Sequence, residues 1–590
     1  MKDFFKYVLA TITGIVLFTV IMGIFMVIGL VGMIASTEQK TEVRSNSVLV
    51  MELTGQMDER STSNAMTMFM GGDDAAMGLD QMLTAIDKAK KNKDIKGIYI
   101  EAGAFSPDSY ASLQALRGAL ADFRKSGKWI VAYADTYTQA TYYLSSVANK
   151  VYLNPQGMID WHGLAAQPIF VKDLLSKFGV KMQIAKVGSY KSATEMFTGD
   201  KMSDEDREQT QAYINGIWED VTKEVGASRN LTVDQLNAYA DSLIAFADPN
   251  QYVSMKLVDK LLYTDQIKTE VKKLLQIDED DDINQLSIAD VAALPDEKSE
   301  GEEIAVYYAY GSIVDGAASN PMSQEHEIDA QVVCKDLEKL MNDDDVKAVV
   351  FRINSGGGSA YASEQIWHQV MELKKKKPVV VSMGGMAASG GYYISAPANW
   401  IVAEPTTLTG SIGIFGMFPD ASELLTQKLG VKFDEVKTNA NSAFGSNARP
   451  FNADEMRILE TYIDRGYKLF RQRVAEGRKM STDQVEAIAQ GHVWIGKDAL
   501  KIKLVDQLGD LNAAVAKAAQ LAKLDEYYTA PYPAKTSWLE ELMEKENQGS
   551  YLDAELRNIL GDEYESWVFL RTINKRNKLQ ARLPFSTRVK

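Results

Sequence analysis

Short β-branched and apolar runs alternate along this chain with amphipathic stretches of helical period. Gly97–Glu101, Trp129–Tyr133, Ala348–Ile353 and Pro378–Met383 are mostly apolar rather than alternating, broken only by Glu101, Arg352 and Ser382, the pattern of strands buried on both faces. Glu364–Lys374, between the last two, has helical spacing, so βαβ units around parallel sheets are predicted. Ser203, with Asp206 three residues on, has the form of a capping box. The helix it opens repeats apolar residues at Ile214, Ile217, Trp218, Val221 and Val225. Asn452 opens a matching helix, in which Tyr462-Ile463 answers Tyr213-Ile214.

The N-terminus follows another pattern. Tyr7–Thr37 is 31 residues without a charge, against about 20 needed to cross a hydrocarbon core and about 7–15 in a leader's apolar region. A membrane-spanning helix is predicted. A cleaved leader is the competing reading, but Ala35 and Ser36 follow Met33 and Ile34 without Ala-x-Ala spacing. Lys2 and Lys6 precede the run, so the N-terminus should stay cytoplasmic and the remaining body should cross the membrane. No later stretch is long and apolar enough to span.

The body repeats itself. Asp94-Ile-Lys-Gly-Ile-Tyr-Ile100 resembles Asp345-Val-Lys-Ala-Val-Val-Phe351, and Leu257-Val-Asp259 answers Leu504-Val-Asp506. Tyr142–Val151 matches Tyr392–Ile401 at five of ten places, and the offset stays near 250 residues. Such a period marks a duplicated domain. The expected organisation is a cytoplasmic end and anchor over residues 1–45 and α/β domains over 46–275 and 304–530. An acidic linker over 276–303, with Asp278–Asp282 exposed, joins the domains, and residues 531–590 form an extension.

Composition narrows the chemistry. A net charge of −16 over 590 residues disfavours a nucleic-acid binder. A single cysteine, Cys334, excludes an internal disulfide framework and a multi-cysteine metal site, and four histidines make a zinc centre a poor fit. No cofactor is expected. Two glycine-rich turns follow predicted strands, Arg352–Ser359 and Ser382–Gly391. Turns after parallel strands gather at the carboxyl edge of the sheet, where ligands bind. Neither ends in the Gly-Lys-Ser/Thr of a phosphate loop.

Ser389, at a predicted helix start, has the ordinary reading of an N-cap. Comparison of the halves changes its standing. The first half has Gln139 in its place, and the Asn354–Ser359 turn has become Ala102–Pro107. The first half keeps Lys191 in the polar turn Lys186–Thr198, where the second half has Asn441. Each half retains what the other has lost.

Met383–Tyr392, Thr407–Ile414 and Gly188–Ala193 together resemble the long, duplicated form of the signal peptide peptidase A (protease IV) family, over a stretch from the anchor to about residue 525. The resemblance implies two tandem crotonase/Clp protease-like domains, an α/β fold, and a bowl-shaped homotetramer. It implies Ser389 as nucleophile, Lys191 as general base and Ser411 as the hydroxyl that positions the lysine. The N–H groups of Gly357 and Gly390 would form the oxyanion hole. The family's turn reads Asn-Ser-Pro-Gly-Gly, whereas Gly356 stands here in place of the proline. The chemistry is coherent, since a serine needs a base and a lysine serves as one only when burial strips its proton. The implied function is a membrane-anchored serine endopeptidase of the bacterial inner membrane. Its body would be extracytoplasmic, and it would degrade cleaved signal peptides and other apolar peptides, laid along strand edges.

Three other readings remain. They are a Ser-His-Asp triad, with His162 near the first-half counterpart of Ser411; a non-catalytic peptide-binding scaffold; and a crotonase-type acyl-thioester enzyme. The basic tail, Arg571–Lys590, lies outside the resemblance and suits solvation, a subunit contact or anionic lipid.

Overall fold

The computed structural model describes residues 43–61, 77–295, 301–316 and 326–534, the backbone of Leu579–Arg582, and seven helical positions scattered between Tyr7 and Met22. The predicted anchor, Tyr7–Thr37, otherwise lies outside the described residues. Among the described residues no helix is long and apolar enough to cross a membrane.

The first half supplies β1 (Ser47–Asp58), β2 (Met77–Gly78), β3 (Ile95–Ser106), β4 (Trp129–Tyr137), β5 (Lys150–Ile159), β6 (Lys181–Lys186), β7 (Lys260–Leu261) and β8 (Asn284–Leu286). All but β6 form one parallel sheet, ordered β2-β1-β3-β4-β5-β7, with β8 also on β1. The second half supplies β9 (Glu302–Tyr310), β10 (Ser312–Val314), β11 (Glu327–Asp329), β12 (Val346–Ser355), β13 (Gly357–Ser359), β14 (Val379–Ala388), β15 (Trp400–Ala403), β16 (Leu408–Gly410), β17 (Phe415–Asp420), β18 (Val493–Ile495), β19 (Gln507–Leu508), β20 (Tyr527–Tyr532) and β21 (Leu579–Arg582). Its main sheet runs β18-β16-β14-β12-β9-β20, with β15 and β19 attached, and only β18 is antiparallel.

Both sheets are covered on both faces, which accounts for the mostly apolar runs. In the second half Val349, Phe351 and Val381 enter the main core, while Val350, Val380 and Val402 meet Ala514, Val515 and Ala518 from the helix Leu511–Ala522. The first half does the same: Ile98 and Ile130 face one core, and Val131 and Tyr133 face Ile267 and Val271. The cores are not separate by half. Ala388, Leu408, Val493 and Ile495 pack into the first-half core.

A third sheet joins the halves, ordered β11-β10-β13-β21-β17-β6. First-half β6 pairs antiparallel with second-half β17 from Lys181↔Asp420 to Lys186↔Phe415. This ladder fixes the start of the lysine turn against the second half.

Two sequence expectations need adjustment. Asp278–Asp282 is exposed, but Asn284–Leu286 and Ile288–Ala292 of the linker form a strand and a helix. Leu286 on β8 and Val291 in the helix Ile288–Ala292 are buried against the first-half core, because these apolar positions outweigh the charges around them. Glu303, at the linker's end, lies in β9 and accepts hydrogen bonds from the Tyr528 and Tyr532 hydroxyls. Ser203 caps Asp204–Arg229 by accepting from the Asp206 N–H, yet the reciprocal partner is Glu195, which accepts from the Ser203 N–H and Oγ. Asn452 and Glu455 form the full capping box at Ala453–Arg478.

Candidate active site

Strand β14 ends at Ala388, and the helix Gly390–Ser395 begins one residue later. Ser389 makes that corner with φ +56° and ψ −115°, a sparsely populated conformation that costs a non-glycine residue about 1–3 kcal/mol. Two main-chain bonds hold it there: its N–H donates to the Gly410 carbonyl at 2.8 Å, and its own carbonyl accepts from Tyr393 at 2.9 Å. Its side chain makes no cap bond, so the ordinary N-cap reading fails. The hydroxyl lies instead 2.8 Å from Lys191 Nζ. One chain supplies both groups.

Lys191 follows β6 by five residues and is 0% exposed, as are Ser389 and Ser411. Its Nζ also lies 3.0 Å from Ser411 Oγ and 3.1 Å from the Ser411 carbonyl. Three polar partners fit a neutral amine that accepts from one hydroxyl and donates twice. No carboxylate is among them, and burial alone drives the lysine pKa well below its ordinary value. Ser411 also has positive φ, +49°, and its N–H donates to the His492 carbonyl at 2.7 Å.

Glycines permit this enclosure. A Cβ on Gly491, whose φ is +82°, would stand 2.7 Å from the Lys191 N and Cβ. One on Gly413 would meet Lys191 Cδ at 3.2 Å. Gln209 steadies the lysine turn by donating to the Tyr190 carbonyl and Ser192 Oγ and accepting from the Val493 N–H.

Gly357 and Gly390 come together beside the serine: a Cβ on Gly390 would lie 3.2 Å from Gly357 Cα. The Gly357 N–H donates to Ser355 Oγ at 3.1 Å, and that hydroxyl donates to the Gly311 carbonyl at 2.6 Å. First-half residues, which sequence reasoning missed, brace the turn. Asn354 donates to Glu59 and Asp108 and accepts from the Met386 N–H, while Arg352 pairs with Glu59 at 2.6 Å and donates to Ser382 Oγ and the Met383 carbonyl. Desolvation, then the Glu59 charge, raises the Asp108 pKa to about 6. Desolvation also raises buried Glu404 to about 8, and its Oε1 has no partner.

No histidine serves the serine among the described residues. His162 pairs with Asp160 at 2.7 Å and lines a cavity of about 210 Å³ with Ile214, Trp218 and Asn237. His492, beside the Ser411 turn and unmarked by any motif, bonds the Val493 carbonyl through its ring, stacks on Trp494 and packs at a tilt against Tyr190. Gln139, the counterpart of Ser389, fills its own position: its amide donates to the Tyr110 hydroxyl and Gly163 carbonyl and accepts from the His162 and Gly163 N–H groups.

A duplicated α/β body with a buried serine–lysine pair at its junction has the form of a hydrolase without histidine. Comparison with known proteins gives the family. The model of peptidase family S49 matches residues 122–278 and 371–525, and that of Clp protease matches 303–401. The chain is 35% identical to Protease 4 of Salmonella typhi over 558 residues, covering 92% of this chain and 88% of the relative. It is 30% identical over 496 residues to the chloroplastic serine protease SPPA of Arabidopsis thaliana, covering 82% and 70%. A protein of Enterococcus faecium carrying the name signal peptide peptidase SppA is 32% identical over 250 residues, covering 41% of this chain and 72% of that one. The chain belongs to peptidase family S49 and is a serine protease.

Proposed function

We propose that the chain is a membrane-anchored endopeptidase that uses a Ser389/Lys191 dyad to degrade cleaved signal peptides and other apolar peptides at the bilayer. The observation that carries this reading is the 2.8 Å contact between Lys191 Nζ and Ser389 Oγ in a fully buried setting. Neutral Lys191 takes the hydroxyl proton as the Ser389 oxygen adds to the scissile carbonyl. Ser411 Oγ and its carbonyl fix the amine and stabilise the ammonium that forms. The oxyanion takes hydrogen bonds from the N–H groups of Gly390 and Gly357, the latter once it leaves Ser355 Oγ. The ammonium then gives its proton to the leaving amine. Lys191 next activates water, whose attack on the ester releases the acid and restores the serine.

The Tyr7–Thr37 run supports the anchor, and Lys2 and Lys6 before it support a body on the outer side of a bacterial inner membrane. The name of the Enterococcus relative supports signal peptides as substrates. The uncovered apolar side chains Leu429, Val431, Phe433 and Val436 supply a surface for self-assembly, as a homotetramer requires. The test is turnover of a synthetic apolar signal peptide by the purified full chain, cut within its apolar centre. Ser389→Ala and Lys191→Ala should each abolish cleavage with folding intact. Retained turnover in purified Ser389→Ala protein contradicts the proposal.

A further inference from the structure

In the third sheet β13 and β17 are not paired with each other. The outer edge of β13 is taken by β10 and that of β17 by β6. Their inner edges face each other across a slot one strand wide, about 10 Å from two ladder spacings. The slot is filled by the chain's own tail. Strand β21 pairs antiparallel on one side as Gly357↔Arg582, Gly358↔Ala581 and Ser359↔Gln580, and on the other as Phe415↔Gln580 and Gly416↔Leu579.

The location ties this strand to the site. β21 runs along Gly357 and lies against the helix Gly390–Ser395, which starts immediately after Ser389. A peptide substrate has to present its carbonyl to the same place, and edge pairing is how an extended peptide binds such a slot. Ser389 is 0% exposed, and the Gly357 N–H is spent on Ser355 Oγ. With the tail seated, the hole is not set to receive a carbonyl. Charge favours the arrangement as well: Arg571–Lys590 holds seven cations and no carboxylate, in a chain of net charge −16.

We propose that Leu579–Arg582 is a resident ligand of the peptide groove, an internal competitor that must leave before a substrate strand can pair. The proposal rests on the Ser389/Lys191 reading for its effect on catalysis, but not for the strand pairing. An internal competitor raises KM and leaves kcat unchanged. With a tethered concentration of about 1 mM and a strand affinity of about 0.1 mM, the apparent KM rises about 10-fold.

The experiment compares the full chain with its Gln580→Pro/Ala581→Pro variant, since prolines remove the N–H groups that pair with either neighbour. The first readout is amide hydrogen exchange at Gly357–Ser359 and Phe415–Gly416, which should quicken about 10-fold in the variant. The second is cleavage of a short apolar reporter peptide, where KM should fall about 10-fold at constant kcat. A synthetic peptide spanning Asn577–Phe585 should restore the higher KM competitively. Equal exchange and equal KM in the two proteins overturn the proposal. Quicker exchange in the variant, with neither protein labelled at Ser389 by a fluorophosphonate, upholds the seated strand and instead overturns the dyad.

Discussion

Replacing Gly491 by alanine tests whether the lysine is held by close backbone approach. The added Cβ would lie 2.7 Å from Lys191 N and Cβ and 2.8 Å from its Cα, all atoms that move only with the main chain. Relieving that overlap to an ordinary 3.4–4 Å contact needs a shift of about 1 Å in the turn, and a 1 Å misplacement costs about 100-fold in rate. The overpacking costs about 1–3 kcal/mol of stability, and the positive φ adds about 1–2 kcal/mol. Gly127→Ala is the matched control: its φ is +85°, and its Cβ would meet nothing within 4 Å. The assay pairs peptide turnover with urea denaturation for both variants. Gly491→Ala should lose about 100-fold in kcat while still folded, and Gly127→Ala should show only the conformational loss of stability. Turnover within about 3-fold of the parent in Gly491→Ala would refute the claim that the glycine sets the lysine's position, since 3-fold is only about 0.6 kcal/mol.

Ser411→Ala removes one of three partners of Lys191 Nζ; a bond of this kind contributes about 1.5–3 kcal/mol, so kcat should fall about 10- to 100-fold with KM little changed. Lys191→Met should raise stability at neutral pH. The folded lysine releases its proton well below its ordinary value of 10.5, so between those two pKa values the unfolded chain binds more protons and parent stability climbs with pH. Denaturation from pH 6 to 10 should show that slope in the parent and a shallower one in Lys191→Met. Glu404 moves oppositely: its carboxyl is raised from 4.5 to about 8, so parent stability falls as pH rises through that window. Glu404→Gln should therefore gain up to ~5 kcal/mol above pH 8 and nothing at pH 4, measured by the same titration.

Much of the fold could be read from the chain because both sheets are buried on two faces, leaving apolar stretches such as Ala348–Phe351 at the centre of a strand. Lys191 and Ser389 were legible for a different reason: duplication supplied an internal comparison, with Asn441 and Gln139 at the vacated positions. The supports of the site left no such trace. Glu59 and Asp108 reach Asn354 across 295 and 246 residues, and no local period marks a long-range polar contact. His492 acts on Ser411 through its carbonyl, which any residue type offers. β21 was invisible because Leu-Gln-Ala-Arg over 579–582 is too short an alternation to mark a strand within a basic tail, and it joins its neighbours by main-chain pairing. Within the acidic linker Leu286 and Val291 lie in 283–294, where Asp290 is the one charge, and each finds the core; the acidic clusters on either side hid that stretch.

The rate at which a fluorophosphonate acylates Ser389, followed from pH 5 to 11 in the parent and in Lys191→Ala, tests most directly whether an uncharged lysine activates the serine. The parent should rise to a plateau with a midpoint well below the ordinary lysine value of 10.5, and the variant should react slowly with no such midpoint. Matching profiles in the two proteins, or a parent rate still climbing through pH 10.5, would contradict the account.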